Sequence, residues 1–598
     1  MTGGMDFSRI TLHAAVILAA ASVFFHLYLI FSGLIPNLVS RPLHLALALP
    51  WIFISGSHKT AIVRISGVAL CLFGLFGCLY IVYFHNTLSD QYGYIEGVHQ
   101  YIIATGLLIV VLEMARRAVK IALPLVAVIA LIYAFLGQYL PGEFGHPAIP
   151  PGSILGTMVI AEGGIWGGLT GVSVNVVAVF VILGAFIGAG EGGTSFMALA
   201  TRLAGKYRAG AAKVSVLSSA FFGSISGSAS ANVASTGAIT LPTMKRLGYS
   251  PTFAAAVEAV ASSGGQIMPP LMGAGAFVMM ELLRVPYLTI IEAALLPALL
   301  FFLTAWIGVD LFAKRHGLQG LADEEIPSIK RVVRLGPFFM IPFSLLLLIL
   351  FFTTYTPQFA AGIAIFSAVA LLIVNEDYEF SFSLFSQRLR SGCLNAAQQI
   401  AMIGSIIICA GIIIGVLNMT GLGVKVTSII LGLAGGKLWL ALLLTALACL
   451  ILGMEVPTTA AYIICVSVAG PVLQSLGLLP LQAHLFVFWY ALLSTITPPV
   501  CGTVFIAAGM AQAAWMPVAA LSMRIGLGLY LVPLAFVANP ALLQPVSNFF
   551  AALLAFVKIS LGLWLVSRCL LVSGSIPFRI LSLVAGLGII FLLGIQAR

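Results

Sequence analysis

Apolar runs of about 20 residues, separated by short polar segments, follow one another along almost the whole chain. A run of that length is typical of a helix that crosses a lipid bilayer. We predict one crossing for each of fifteen runs. These runs lie at 10–33, 42–56, 65–84, 98–115, 118–139, 172–190, 251–283, 287–313, 336–354, 359–374, 395–416, 480–510, 515–537, 549–572 and 578–596.

Two further stretches, 212–246 and 438–475, do not fit a single crossing. Each is too long for one helix and too short for two full ones, and small or helix-breaking residues interrupt each near its middle. We predict that both are re-entrant hairpins. Their expected tips are 224–232 and 453–459.

The two hairpins belong to an internal repeat. A shift of 229 residues aligns Pro242 with Pro471 and Pro251 with Pro480, and the same shift aligns the two Pro-Pro pairs at 269–270 and 498–499. The repeat covers about 180–285 and about 411–514. Five predicted crossings separate the hairpins, and an odd number turns the second copy upside down. Inverted repeats with broken helices are typical of secondary transporters, whose binding sites lie near the bilayer midplane.

Each copy also contains a predicted helix break. In copy one the two glycines at 264–265 are expected to unwind 262–266, and Pro269-Pro270 is expected to restart the helix. In copy two, 494–497 precede Pro498-Pro499 in the same way. Unwound backbone is tolerated at membrane depth only where it lines a protein cavity. The two tips and two breaks should therefore converge on one polar pocket.

That pocket suits an anion together with a hard cation. Half-helix N-termini carry positive partial charge, while freed carbonyls and Ser, Thr and Asn oxygens suit Na⁺. Proton coupling through Glu455 or His484 remains an alternative. We expect Glu258 to lie near a helix end, at the membrane interface.

Composition excludes most other classes of protein. The chain is 61% hydrophobic and 8% charged, with a mean hydropathy of +1.13, whereas soluble domains are about 25% charged. With the N-terminus in the cytoplasm, 22 of the 28 basic residues fall on the cytoplasmic side. The net charge of +10 therefore indicates membrane orientation and not nucleic-acid binding.

Three segments carry a resemblance to a known family. They are GSISGSASANVASTGAITLPTMKRLGYSPTFAAAVEAVASSGGQIMPPLMGAGAFVMME at 223–281, GMEVPTTAAY at 453–462 and TPPVCGTVF at 497–505. Through them the chain resembles the fused membrane permeases of tripartite ATP-independent periplasmic (TRAP) transporters, especially those of the TAXI type. The resemblance covers about 100–540 well.

The resemblance implies a fold, an activity and a location. The fold is an all-α integral membrane protein, an elevator-type secondary transporter with inverted repeats, two re-entrant hairpins and two broken helices. The activity is ion-coupled uptake of a small organic anion, usually a carboxylate, delivered by a periplasmic substrate-binding protein. The location is the bacterial inner membrane, with the N-terminus in the cytoplasm.

We accordingly divide the chain into five parts. They are 1–150, a small-subunit-like scaffold of N-terminal helices; 151–285, the first repeat; 286–394, scaffold helices and cytoplasmic loops; 395–514, the second repeat; and 515–598, the C-terminal helices.

The tip and break residues form the expected substrate and ion site. They are Ser226, Ser228, Asn232, Ser262, Ser263, Gly264, Gly265, Gln266 and Pro270 in copy one, and Gly453, Glu455, Pro457, Thr458, Thr459, Ser494, Thr495, Thr497, Pro499, Gly502 and Thr503 in copy two. The Na⁺ ligands are expected among Ser228, Asn232, Gly265, Thr458, Thr497 and Gly502.

Other classes of function fit less well. An integral membrane enzyme is disfavoured because the sequence has no HExxH motif and no clustered His or Cys ligands. A channel is disfavoured because no TVGYG-like filter segment occurs. A nearer rival is a sodium-coupled dicarboxylate symporter of the elevator type that works without a binding protein.

Overall fold

A computed structural model describes residues 9–33, 35–55, 61–119, 121–453, 458–499, 501–572 and 575–592. Within these ranges the regular structure is helical, apart from one isolated β-bridge between Val374 and Phe380. The N-terminal helices are α1 (Arg9–Phe31), α2 (Asn37–Phe53), α3 (Ala61–Tyr83), α4 (His85–Asp90), α5 (Gly97–Val119), α6 (Ala122–Leu136) and α7 (Pro151–Val159).

The first copy of the repeat contains seven of the described helices. They are α8 (Gly168–Val172), α9 (Ala178–Ala189), α10 (Gly192–Ala204), α11 (Gly210–Ser226), α12 (Ala229–Arg246), α13 (Pro251–Gly264) and α14 (Gly273–Leu283). A π-helical turn, Ser173–Val177, joins α8 to α9. The connecting helices are α15 (Tyr287–His316), α16 (Ile329–Leu335), α17 (Pro337–Phe352) and α18 (Pro357–Leu371).

The second copy and the C-terminal part complete the chain. Copy two comprises α19 (Phe382–Thr420), α20 (Leu422–Ala434), α21 (Leu438–Leu452), α22 (Thr458–Ser475), α23 (Pro480–Leu493) and α24 (Gly502–Ala511). The C-terminal helices are α25 (Trp515–Ile525), α26 (Leu527–Ala538), α27 (Phe549–Leu571) and α28 (Ile576–Phe591).

The chain is an all-α membrane protein with many spans. Among the described residues, nine helices are long and apolar enough to cross a membrane, or up to eleven when each bent helix pair counts as one span. Large apolar side chains on the outer helices are exposed, including Ile62 of α3 and Phe550 of α27. Such a surface is matched by lipid and not by water.

Two boundaries differ from the sequence prediction. The stretch predicted as a single crossing at 515–537 forms two helices, since Gly526 separates α25 from α26, and each helix alone is too short to span a bilayer. The crossing predicted at 395–416 is part of a helix that already begins at Phe382. The early turns of α19 carry Gln387, Arg388 and Arg390, so the apolar pattern misses them.

The sequence repeat is a repeat of helices. Three helices of the hairpin and break in copy two begin 229 residues after their counterparts, as the pairs Ala229 and Thr458, Pro251 and Pro480, and Gly273 and Gly502 demonstrate. The first hairpin arm, α21, begins 228 residues after α11. The two halves of each broken helix start with the same residue types, proline in α13 and α23 and glycine in α14 and α24. Ser250 caps α13 and Pro251 occupies its first position, and Pro480 occupies the first position of α23.

The first halves of the two broken helices lie at the centre. Every residue from Phe253 to Gly264 and every residue from Gln482 to Leu493 is buried. On one side α19 packs against α1, α2, α5, α6 and α9, and on the other side α15 packs against α25, α26 and α27. The broken helices contact the second layer directly, α13 through α15 and α25 and α23 through α26, whereas α19 contacts the hairpin arm α22.

The first hairpin docks on the first break through paired glycines. A methyl group on Gly223 of α11 would lie 2.1 Å from the Cα atom of Gly265, and one on Gly227 would lie 2.3 Å from the Cα atom of Gly273. Gly227 also has a φ of +58°, which favours glycine. Backbone therefore lies directly on backbone, as small residues allow between membrane helices.

We expect Gly223→Ala to destabilise the protein by about 1–3 kcal/mol, because the added methyl group must push the hairpin off the break. The matched control is Gly188→Ala in α9, where a methyl group meets nothing within 4 Å. That control should be neutral or slightly stabilising. The midpoints of thermal unfolding in detergent measure both, and equal midpoints would contradict the docking contact.

Candidate functional site

The two helix breaks meet at the centre of the protein. The hydroxyl oxygens of Ser263, at the end of α13, and Thr495, just after α23, lie 3.1 Å apart. Each hydroxyl also lies within hydrogen-bond distance of a carbonyl of its own helix, Ala259 and Leu492 respectively. Two predicted site residues from opposite copies are thus in direct contact.

Each copy also packs against the second half of the other copy's broken helix. The hairpin arm α12 contacts α24, and the arm α22 contacts α14. The contact is close at Gly275 of α14, where a methyl group would lie 2.3 Å from the ring of Phe488 on α23. The hairpins and broken helices therefore form one reciprocally packed unit.

The breaks begin and end at different residues from those predicted. Helix α13 continues to Gly264, so Ser262, Ser263 and Gly264 are helical and the unwound stretch begins at Gly265. The prediction that Pro269-Pro270 restarts the helix is wrong, since α14 begins at Gly273, after Met272 with a φ of +50°. In copy two α24 likewise begins at Gly502.

The Pro-Pro pairs lie within the breaks. Both peptide bonds, Pro269-Pro270 and Pro498-Pro499, are cis. The carbonyl of Pro270 accepts a hydrogen bond from the hydroxyl of buried Tyr287. Pro499 is exposed.

Asn232 ties the first hairpin to the first broken helix. It is fully buried in the first turn of α12, and its Nδ2 donates to the carbonyls of Ser219, at 2.9 Å, and Ser262, at 3.3 Å. A methyl group on Gly265 would lie 2.7 Å from the same Nδ2 atom. Of the residues predicted to bind Na⁺, Asn232 and Gly265 are therefore neighbours.

Four helix N-termini lie at the tips and breaks. They belong to α12, α14, α22 and α24. Ser228 caps α12, because its hydroxyl accepts from the N–H of Ala231 at 3.3 Å. Thr458 and Gly502 are the first residues of α22 and α24. Such N-termini present N–H groups and positive partial charge to an anion.

Unpaired polar atoms concentrate at the tips and breaks. Among the described residues, nine buried side-chain N or O atoms have no hydrogen-bond partner. Four of the nine belong to predicted site residues, namely Ser226 Oγ, Gln266 Oε1, Thr458 Oγ1 and Thr503 Oγ1. Each tip and each break contributes one of them. Buried polar groups are normally paired, so these four oxygens suit an additional partner, such as a cation or an ordered water molecule.

Two of the remaining site residues of copy two, Ser494 and Thr497, have hydrogen-bond partners within the protein. The Ser494 hydroxyl donates to the Ala491 carbonyl at 2.6 Å, and a methyl group on Gly453 would lie 2.4 Å from that hydroxyl oxygen. The Thr497 hydroxyl donates to Leu493 and lies 2.6 Å from the hydroxyl of Tyr530. Thr459 is half-buried on α22. Glu455 and Pro457 lie outside the described residues.

His484, the alternative proton carrier, lies within hydrogen-bond distance of one partner side chain. Its Nδ1 lies 2.8 Å from the hydroxyl of Tyr462 on α22, and both side chains are buried. The pair joins α22 to α23 away from the breaks, one turn after Pro480.

The sequence prediction missed a buried carboxyl group. Glu258 lies in the middle of α13 with no exposed surface, so its expected position at the membrane interface is wrong. Four hydroxyl groups contact its two oxygens, and they belong to Ser215, Thr236, Thr240 and Ser262. We call these five side chains the Glu258 cluster. The spacing of four residues within 236/240 and within 258/262 is a signal that places each pair on one helix face.

The chain matches the family described as "Tripartite ATP-independent periplasmic transporter, DctM component" over residues 107–549. The match includes both hairpins and both broken helices. It begins within α5 and ends at the start of α27.

Two relatives agree with this match. The chain is 26% identical over 337 residues to the isethionate TRAP transporter permease protein DctMQ of Oleidesulfovibrio alaskensis, covering 56% of this chain and 52% of that protein. It is also 26% identical over 328 residues to the C4-dicarboxylate TRAP transporter large permease protein DctM of Pseudomonas aeruginosa, covering 55% of this chain and 75% of that protein. The alignment thus spans only about half the length of the first relative.

Because the family match covers about three quarters of the 598 residues, the chain belongs to the DctM family of tripartite ATP-independent periplasmic transporter permeases.

Proposed function

We propose that this protein takes up a small organic anion, a carboxylate, together with Na⁺, by an elevator-type mechanism, and that a periplasmic substrate-binding protein delivers the anion. We propose further that it is a fused permease of the TAXI type in the bacterial inner membrane, with its N-terminus in the cytoplasm.

The observation that carries this proposal is the convergence of both copies at one place. Two helix breaks touch through Ser263 and Thr495, and each tip and break contributes one buried, unpaired oxygen. Lipid cannot satisfy such groups, whereas a bound ion and its neighbouring solute can. The site would bind its ligands at the interface between the repeats, as secondary transporters do.

The donor set fits an anion and Na⁺. The N-termini of α12, α14, α22 and α24 supply N–H groups for carboxylate oxygens. The hydroxyls of Thr458 and Thr503 and the amide oxygen of Gln266 are hard, neutral oxygen ligands. Na⁺ would supply the electrical and chemical gradient that drives uptake.

The reciprocal packing supports a moving body. Helices α11–α14 and α21–α24 interlock through α12 with α24 and α22 with α14. A unit packed in this way moves as a whole more readily than in parts. The layer containing α19 and the N-terminal helices would remain as the scaffold.

The names of the two relatives support the class of substrate. One is named for isethionate and the other for C4-dicarboxylates, and both are small organic anions. We propose that this chain transports a small organic anion of the same class.

We expect purified protein in proteoliposomes to take up the ligand of its neighbouring binding protein only when that binding protein is present and loaded. The measurement is uptake of the radiolabelled ligand with and without binding protein under an inward Na⁺ gradient. Equal uptake without the binding protein would instead favour the direct dicarboxylate symporter.

Replacement of Na⁺ by choline should abolish this uptake, because the oxygen ligands at the tips bind Na⁺ and not the bulkier cation. A protonophore added in the presence of Na⁺ serves as the comparison. Uptake that survives without Na⁺ and collapses with the protonophore would contradict Na⁺ coupling.

Removal of one unpaired hydroxyl should weaken Na⁺ binding without unfolding the protein. We expect Thr458→Val to raise the Na⁺ concentration for half-maximal uptake by on the order of tenfold, or about 1.4 kcal/mol. Thermal stability should change little, because this hydroxyl makes no hydrogen bond within the described residues. The control is Thr420→Val on α19, whose hydroxyl donates to the Val416 carbonyl at 2.7 Å. That control should keep its Na⁺ dependence.

A further inference from the structure

Glu258 is an ionisable group enclosed at the centre of a membrane protein. Its exposed fraction is 0%, and it lies about 10 Å along α13 from Pro251. An ionised carboxylate is costly to bury unless an opposite charge accompanies it. Ionisable side chains in such positions are most often functional.

Four hydroxyl groups fill the surroundings of the carboxyl group. Ser215 of α11 donates to Oε2 at 2.7 Å, and Thr240 of α12 reaches the same oxygen at 2.5 Å. Thr236 of α12 donates to Oε1, and Ser262 donates to Oε1 at 3.2 Å. Each oxygen thus receives two hydroxyls, drawn from both hairpin arms and from α13 itself.

Two of these hydroxyls have a second acceptor within their own helix. The Thr236 hydroxyl lies 2.8 Å from the Asn232 carbonyl, and the Thr240 hydroxyl lies 3.0 Å from the Thr236 carbonyl. Either hydroxyl can therefore turn from the carboxyl group to a backbone carbonyl by rotation alone. The cluster can satisfy the carboxyl group in both its protonated and its ionised form.

Charged groups on the helices that pack against α13 have other surroundings. Some of them form ion pairs, Lys213 with Asp310 at 2.5 Å and Arg246 with Glu325. Three others bind elsewhere: Lys245 donates to the Ala511 carbonyl, His484 contacts Tyr462, and Glu292 accepts from the Val546 N–H. The rest are exposed, namely Arg524, Lys314, Arg315 and His316. Among the described residues, the hydrogen-bond partners of Glu258 are the four hydroxyls.

The fold itself does not require this polar cluster. In copy two, where α22 and α23 occupy the corresponding places, the counterparts of Thr236, Thr240, Glu258 and Ser262 are Cys465, Ala469, Val487 and Ala491. All four counterparts are buried. Apolar residues therefore fill the same positions, and a buried polar network is seldom more stabilising than such packing.

We propose that the Glu258 cluster is a proton-binding site of the transport cycle, in addition to the Na⁺ site at the tips. A proton from water adds to the Glu258 carboxylate and forms one O–H bond, and it leaves as the carboxyl ionises again. The inference rests on the proposed function, because the proton would travel with the hairpin unit that carries the anion.

One hydrogen bond connects the Glu258 cluster to the hairpin tip of copy one. Ser262 belongs to the cluster, and its carbonyl accepts a hydrogen bond from Asn232 in the first turn of α12. The cluster therefore touches the same hairpin tip and break that hold the unpaired oxygens of copy one. Proton binding can bias how the tip docks on the break.

The direct test is infrared difference spectroscopy of the full chain in Na⁺-free liposomes, wild type minus Glu258→Gln, at neutral pH. We expect a protonated carboxyl C=O band that shifts in D₂O. Carboxylate bands in its place would overturn the proposal. Loss of the C=O band on addition of Na⁺ at constant pH would also overturn it, because the cluster would then bind Na⁺.

Two further variants keep this test decisive. Thr240→Val should shift the C=O band, because it removes one hydrogen bond to Glu258, and an unshifted band would count against the assignment. Glu292→Gln, on α15, is the matched control and should leave the band unchanged. Loss of the band from the Glu292→Gln variant would show that the band arises from Glu292 and not from Glu258.

Transport measurements separate this proposal from the proposed function. Glu258→Gln should lose the stimulation of uptake by an inward proton gradient while uptake still requires Na⁺. Full stimulation in this variant would overturn the proton site. Absence of uptake by the wild-type protein would overturn the proposed function, and the infrared bands would then decide on the proton site alone.

Discussion

Hydrocarbon cannot form hydrogen bonds with the N–H and C=O groups of a peptide, and this constraint determines how the protein is organised. A broken helix leaves N–H and C=O groups without partners, so it can exist at membrane depth only inside protein. Accordingly the first halves of the broken helices, α13 and α23, are buried over nearly their whole lengths. The hairpin arms, together with α15, α25 and α26, supply the necessary cover.

Small residues make that enclosure possible. Membrane helices gain little from the hydrophobic effect among themselves and depend on close packing. The backbones of the tip and the break touch where Gly223 meets Gly265 and where Gly227 meets Gly273. No side chain separates the tip from the break at these two places. A ligand that bound between the docked tip, the break and the opposite copy would act on all three together, as the proposed coupling between an ion and a solute requires.

The sequence predicts the parts of this arrangement that depend on local chemistry. Proline and glycine are dense at the hairpin tip of copy one and at both Pro-Pro pairs, so the hairpins and breaks could be found to within a few residues, and the 229-residue register follows from the same signals. Single prolines are a weaker signal, because Pro242, Pro297 and Pro471 lie inside continuous helices. The restart at Gly273 could not be found, because it depends on the backbone of Met272 and Gly273. The Glu258 cluster depends on the alignment of three helices, which no single segment encodes. The start of α19 could not be predicted, because its polar residues do not follow an apolar pattern.

The fold is repeated but its chemistry is not. Helices α12 and α13 have the same lengths as their counterparts α22 and α23. Yet Thr236, Thr240, Glu258 and Ser262 face one another in copy one, whereas the corresponding positions of copy two hold apolar and small residues. If the polar groups served the architecture of α12 and α13, the corresponding helices α22 and α23 would need them too, because the four counterpart positions are also buried. Since only one copy has them, their role concerns something that the transport cycle needs once. A proton-binding carboxyl group in one of the two copies would give the repeated architecture a single position at which charge changes during the cycle.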